Sequence, residues 1–165
     1  MVAPAFLVTT LAVTVVAVCD VLRRGELTAT QAAIHLSLFA ALFLVRVLGQ
    51  VLVVLRAPRW LPPMHEWNLV PYRLLLPIQL GFLVVMAAVV GSLVRGSGWP
   101  AGTSPGFGRL LIGLSIVYAG SMVVRYGVRM YRRPSERWFG GAIPIVFHVV
   151  LAAFLFTWGR YHVTG

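Results

Sequence analysis

The sequence contains no lysine, one cysteine and four acidic residues, and charged residues make up only 11% of the chain. A soluble domain carries about 25% charged residues, so this deficit excludes an ordinary water-soluble globule. The single cysteine, Cys19, excludes an internal disulfide and a cluster of thiolate ligands. In place of charge, 59% of the residues are hydrophobic and the mean hydropathy is +0.89. The composition therefore indicates a membrane protein.

The few charges that are present are strongly basic, with 14 arginines and a formal net charge of +10. In a soluble protein this balance would suggest a nucleic-acid partner. Here the arginines flank long apolar runs, which is typical of a chain that spans a lipid bilayer. We therefore expect the bilayer, and not nucleic acid, to be the main partner.

Five apolar segments are predicted to cross the bilayer, whose core requires about 20 residues of helix. The fourth is the least regular, because only 15 apolar residues separate Arg109 from Arg125. One of these arginines must enter the membrane or extend its side chain to the surface. We predict an all-α, polytopic bundle of about five transmembrane helices. It forms a single transmembrane domain, residues 1–165, with spans at 2–22, 30–55, 72–94, 108–131 and 139–159.

The distribution of arginine predicts the orientation of the bundle. With five spans, eight arginines lie on the side that holds the N-terminus and the second and fourth loops, and five lie on the other side. Because cytoplasmic loops are enriched in positive charge, we expect a multi-pass protein of the plasma (inner) membrane. Its N-terminus would be cytoplasmic and its C-terminus outside. No basic region precedes the first apolar run, so we expect that segment to be a retained helix rather than a cleaved signal.

Polar side chains inside the predicted spans are the candidate functional residues, because each is costly in hydrocarbon. At about 100° per residue, such side chains form one stripe on each of the second to fifth helices. Counted at about 1.5 Å per residue, most of them lie about 8–11 Å from the predicted cytoplasmic helix ends, and Arg46 lies about 14 Å deep. We expect these residues to line one cytoplasmic-side cavity: Arg46, Gln50, Gln79, Tyr118, Ser121, Arg125 and His148.

This set of residues predicts binding of an anionic or polar amphiphile of the lipid, prenyl or quinone type. Arg46 and Arg125 would donate paired hydrogen bonds to a phosphate or carboxylate, and the neutral side chains would add further hydrogen bonds. The tryptophan-rich second loop would supply a lid or a counter-charge through His65, Glu66 and Asn68.

A purely structural role is the alternative for the two arginines. Arg46 would then pair with Glu66, and Arg125 would extend its side chain to the membrane surface. Glu66 is the only acid expected on that side near this depth. It cannot neutralise both arginines, and the sequence therefore favours ligand binding.

Three classes of function stay open. The favoured class is a small integral membrane protein without its own catalysis, which binds the amphiphile or serves as a subunit of a membrane complex. Glycines at seven-residue spacing in the fourth helix, Gly113, Gly120 and Gly127, predict close packing against a neighbouring helix. The first alternative is a membrane enzyme acting on a lipid-linked phosphate. The arginines would hold that substrate, and proton transfer would fall to His65, Glu66 or His148.

The second alternative is a redox subunit that binds haem b through two of the histidines His35, His148 and His162. Such ligation needs two histidines at similar depth on facing helices. His35 and His148 differ in predicted depth, and His162 follows the predicted fifth span. The chain has no HxxxH or paired-carboxylate pattern, so no metal site is predicted. The sequence therefore predicts no cofactor and keeps haem b as a weaker alternative.

Overall fold

Five α-helices make up the computed structural model, which describes residues 2–56, 58–59, 61, 72–96, 102–132 and 142–165. Each helix is long and apolar enough to cross a membrane. This confirms the predicted all-α, multi-pass bundle, and no strand occurs in the described ranges. The helices are α1 Val2–Arg23, α2 Ala29–Arg56, α3 Tyr72–Val94, α4 Pro105–Arg132 and α5 Ala142–Thr164.

The observed start of α4 and the observed end of α5 differ from the predicted spans. α4 begins three residues before its predicted span, with Pro105 at its first position, where a missing N–H costs nothing. α5 continues five residues beyond its predicted end because its last turns pack against the start of α4. His162, expected after the span, consequently lies inside α5 and is buried. Residues 139–141 of the predicted fifth span fall outside the described residues.

The start of α2 is stabilised by a reciprocal pair of side chain–backbone hydrogen bonds. The backbone N–H of Thr28 donates to the amide oxygen of Gln31, at 3.2 Å. The N–H of Gln31 donates in return to the Thr28 hydroxyl, at 3.3 Å. This capping box satisfies donors that have no partner within the helix, and so it fixes where α2 begins.

The centre of the bundle is α5, which packs against α1, α2 and α4, while α3 packs against α2. Phe147, Val150 and Phe154 of α5 are almost fully buried. The outer faces of α3 and α4, in contrast, expose many leucine, isoleucine and valine side chains. This is the distribution expected when lipid, rather than water, surrounds the outer helices. Because α5 packs against both α2 and α4, polar residues of these three helices can lie close together.

The α4 and α5 helices approach each other closely at Gly108 of α4 and Gly159 of α5. A Cβ atom on Gly108 would lie 2.6 Å from the Gly159 carbonyl oxygen, and one on Gly159 would lie 2.7 Å from the Gly108 carbonyl oxygen. The predicted glycine stripe does not take this role. Gly113, Gly120 and Gly127 are exposed, and no described neighbour lies within 4 Å of an added Cβ at any of them. The stripe therefore packs against no other described helix of this chain.

Candidate functional site

Arg46 of α2 is the most deeply buried charge among the described residues, with a relative exposure of 3%. Its guanidinium lies over the rings of Phe43 and Phe147, at 5.9 and 5.7 Å from their centroids. These distances are within the range of a cation–π interaction, about 6 Å. Its Nε atom hydrogen-bonds to nothing in the described part of the chain. Two aromatic faces therefore surround Arg46 where an ion pair would be expected.

The two described acids do not neutralise Arg46. Asp20 is bound to Arg24 at 2.8 Å and lies 3.0 Å from the His35 ring, where α1 ends and α2 begins. The hydrogen bond from Arg24 raises the pKa of that guanidinium above its usual value. Glu26 is exposed between α1 and α2. Arg46 lies about 26 Å along α2 from this end. The acid invoked in the structural alternative, Glu66, lies outside the described residues, as do the other two candidate lid residues, His65 and Asn68.

Tyr118 of α4 and His148 of α5 pack against each other and interact electrostatically with Arg46. Their ring centroids are 5.5 Å apart, with an angle of 49° between the ring planes. Both groups lie within electrostatic range of Arg46 and of Arg125, which is half-buried on α4. Three helices thus bring four of the predicted site residues into one cluster.

The protonation pattern of His148 follows from its hydrogen bond within α5. Its Nδ1 atom is bonded to the carbonyl oxygen of Pro144. Since a carbonyl oxygen can only accept, Nδ1 must carry the hydrogen. In the neutral ring, Nε2 is then the acceptor. His148 therefore offers a lone pair that a ligand or substrate could use.

Gln50 and Gln79 are buried polar groups without hydrogen-bond partners among the described residues. Their exposed fractions are 0% and 3%, and in the described part of the chain neither the Oε1 nor the Nε2 atom of either amide has a hydrogen-bond partner. Gln50 follows Arg46 by one turn, and Gln79 belongs to α3, which packs on α2. By rise per residue, both lie about 9–10 Å from the helix ends that flank residues 57–71. Leaving such groups unpaired costs about 1–3 kcal/mol each.

Ser121 is not part of this cluster. Its side chain is exposed, and its hydroxyl donates to the Tyr118 carbonyl oxygen of the same helix, at 2.7 Å. A serine bonded in this way satisfies itself locally and needs no neighbouring helix. Ser121 is therefore a predicted ligand-binding residue that the structure does not bring into the cluster.

The three histidines considered for haem b occupy different environments. His35 donates from Nδ1 to the Gln31 carbonyl at 2.8 Å, and its Nε2 lies 3.0 Å from Asp20, so both ring nitrogens are engaged. The Nδ1 of His162 accepts from the Ser104 N–H at 3.2 Å. His148 and His162 lie about 21 Å apart along α5. His148 and His162 are therefore too far apart to ligate one haem iron, and haem b ligation that involves His35 stays a prediction. The described ranges contain no group of three potential metal ligands.

An apolar groove runs between α1 and α4 over the surface of α5. Its two lobes have volumes of about 340 and 280 Å³, and both contact Val149. The lining is almost entirely aliphatic and aromatic, with Thr14, Ser115 and Tyr126 among the few polar side chains. None of the predicted site residues that the structure describes lines it. The groove is therefore separate from the polar cluster around Arg46.

Sequence reasoning missed the two phenylalanines that hold the guanidinium. Phe43 lies three residues before Arg46, a spacing that places two side chains on the same helical face and could have indicated the contact. Phe147 comes from another helix, and no sequence pattern pairs it with Arg46. Its immediate neighbour His148 is among the predicted ligand-binding residues, but that prediction does not extend to Phe147.

The five apolar helices define the class of this chain, a multi-pass helical membrane protein. Comparisons with known protein families, curated proteins and solved structures give no match. The inference of function therefore depends on the buried polar cluster itself.

Proposed function

We propose that this protein binds the anionic or polar head group of an amphiphile between α2, α4 and α5. The observation that carries the proposal is the burial of Arg46 at 3% exposure with no carboxylate partner among the described residues. An unpaired buried charge costs several kcal/mol. An anionic head group entering from the bilayer would remove this cost, while the apolar remainder of the amphiphile would stay among the helices and lipids.

The surrounding residues support a role in recognition rather than in packing alone. Arg46 and Arg125 can each donate two parallel hydrogen bonds to a phosphate or carboxylate. Tyr118 and His148 lie within electrostatic range of both arginines and add neutral hydrogen-bonding groups. The arginine excess on the side of residues 57–71 favours a position in the cytoplasmic half of the plasma membrane. The ligand class is accordingly a lipid, a prenyl compound or a quinone with a polar head.

Equilibrium binding of a labelled lipid tests this proposal. The full chain is placed in phosphatidylcholine nanodiscs and titrated with fluorescent phosphatidylglycerol. Since a hydrogen bond to a charged group is worth about 1.5–3 kcal/mol, Arg46→Gln should weaken binding at least about tenfold. The matched control is Arg109→Gln, which removes an exposed charge from the first turns of α4 and should change binding less than about twofold. Unchanged binding by Arg46→Gln, or an equal loss in both variants, would contradict the proposal.

A second candidate is an enzyme that acts on a lipid-linked phosphate, and the geometry of His148 favours it. With its Nδ1 hydrogen bonded to Pro144, the ring presents Nε2 as a potential general base beside the arginines. The test is release of inorganic phosphate from a polyprenyl diphosphate by the full chain in detergent. Release that His148→Ala abolishes would establish the enzyme. A wild-type chain that binds the compound without releasing phosphate would leave binding as the function.

A further inference from the structure

The two buried glutamines carry information about the ligand that the arginines do not. A glutamine amide has an NH₂ group that donates and a carbonyl oxygen that accepts. In Gln50 and Gln79 all four of these atoms are buried and have no hydrogen-bond partner in the described part of the chain, and the two amides do not bond to each other. A ligand that contacts both amides must therefore supply acceptors and donors together.

An anionic group alone meets only half of this requirement. A phosphodiester or a carboxylate accepts hydrogen bonds, and it could satisfy Arg46 and the Nε2 atoms of Gln50 and Gln79. The two Oε1 atoms would remain buried without a donor, at a substantial desolvation cost. The bound head group must then carry hydrogen-bond donors of its own.

The charge of the site selects the kind of donor. An ammonium group would be repelled by the positive charges of Arg46 and Arg125. The two described acids, which could attract an ammonium group, lie at the far end of α2. A hydroxyl group donates without adding charge. We propose that the natural ligand is an anionic amphiphile whose head group carries free hydroxyls, such as a glycerol or sugar phosphate lipid, with Gln50 and Gln79 as its hydroxyl acceptors. This inference rests on the proposed function.

Two lipids of equal charge distinguish the inference from the proposed function. Dioleoyl phosphatidylglycerol carries two hydroxyls, dioleoyl phosphatidylmethanol carries none, and dioleoyl phosphatidylcholine is the zwitterionic reference. We expect the wild-type chain in detergent micelles to bind phosphatidylglycerol about tenfold more tightly than phosphatidylmethanol, as two additional hydrogen bonds would give. In the double variant Gln50→Met, Gln79→Met this ratio should fall to about one. The matched control Gln31→Met, at the opposite end of α2, should keep the wild-type ratio.

The possible outcomes distinguish the hydroxyl inference from the proposed function. Equal binding of both anionic lipids, each tighter than phosphatidylcholine, would overturn the hydroxyl inference and leave the proposed function intact. No preference for either anionic lipid over phosphatidylcholine would overturn the proposed function itself. Loss of the ratio in Gln31→Met as well would overturn the assignment to Gln50 and Gln79. Displacement of phosphatidylglycerol by an equal concentration of free glycerol 3-phosphate would overturn a lipid as the source of the head group. Because the wild-type ratio requires no variant, the inference remains testable even if the double variant fails to fold.

Discussion

At the scale of single residues, the environment of Arg46 explains how a charge can lie inside an apolar bundle. A guanidinium is planar, weakly hydrated and able to stack on aromatic faces, whereas an ammonium group is compact and strongly hydrated. The rings of Phe43 and Phe147 lie under 6 Å from the guanidinium carbon, at 5.9 and 5.7 Å. The rings offset part of the desolvation cost, and the Nε–H group has no hydrogen-bond partner in the described part of the chain.

The stability of Arg46→Met separates a binding role from a structural one. If Arg46 has no carboxylate partner, replacing it with an apolar side chain of similar length should raise the free energy of unfolding by about 1–4 kcal/mol in lipid-free detergent. Denaturant unfolding followed by circular dichroism measures this. A decrease of about 3–5 kcal/mol is expected instead if the substitution breaks a buried ion pair, and it would implicate a partner such as Glu66.

The residues of the site differ in how far the sequence could predict them. Arg46, Gln50, Gln79 and His148 are conspicuous because polar groups are expensive within apolar spans. The phenylalanines around the guanidinium are not conspicuous in the sequence, because phenylalanine is common in apolar spans. Ser121 was predicted to belong to the site and does not. Its hydroxyl bonds to the backbone of its own helix, so a serine within an apolar span does not by itself indicate a site.

At the scale of helices, the crossing of α4 and α5 depends on two glycines. An added methyl group at Gly159 would lie 2.7 Å from the Gly108 carbonyl oxygen, so Gly159→Ala must push the helices apart. We expect a loss of about 1–3 kcal/mol in the free energy of unfolding. The matched control is Gly120→Ala, which adds a methyl group in open space and should stabilise α4 by up to about 1 kcal/mol. Equal effects of the two variants would contradict this account of the crossing.

The limits of sequence prediction are clearest in α4. Its existence followed from an apolar run, but Gly113, Gly120 and Gly127, which were expected at a contact with a neighbouring helix, meet no other described helix of this chain. In water, burial of the apolar face would select the rotation of the helix about its axis. In a bilayer every face of a helix can meet lipid, so packing detail decides instead. The close contact at Gly108 and Gly159 pairs positions 51 residues apart, and no local pattern shows it.

At the scale of the whole molecule, the polar cluster around Arg46 depends on the central position of α5. α5 contacts both α2 and α4, and this places Arg46, Tyr118 and His148 within one region although they belong to different spans. The depth of the polar residues in the membrane could be estimated from the sequence by counting residues from the helix ends. The sequence could not show which helices are neighbours, because five apolar spans of similar length allow many arrangements.

Reporter fusions test the expected orientation of the bundle. Alkaline phosphatase, which is active only after export, should be active when fused at Gly25 or Gly165 and inactive when fused at Arg59. The reason is the excess of arginine on the side of residues 57–71. The opposite pattern of activity would place the Arg46 cluster in the outer half of the membrane and would contradict the cytoplasmic-side site.

The most direct measurement for the central claim is an experimental density map of the protein in a bilayer that contains phosphatidylglycerol. The claim is that an amphiphile, not the protein, supplies the anion for Arg46. We expect non-protein density within hydrogen-bonding distance of the guanidinium, about 2.7–2.9 Å, continuous with at least one acyl chain. A map in which a protein carboxylate such as that of Glu66 forms this contact, with no lipid density beside Arg46, would contradict it.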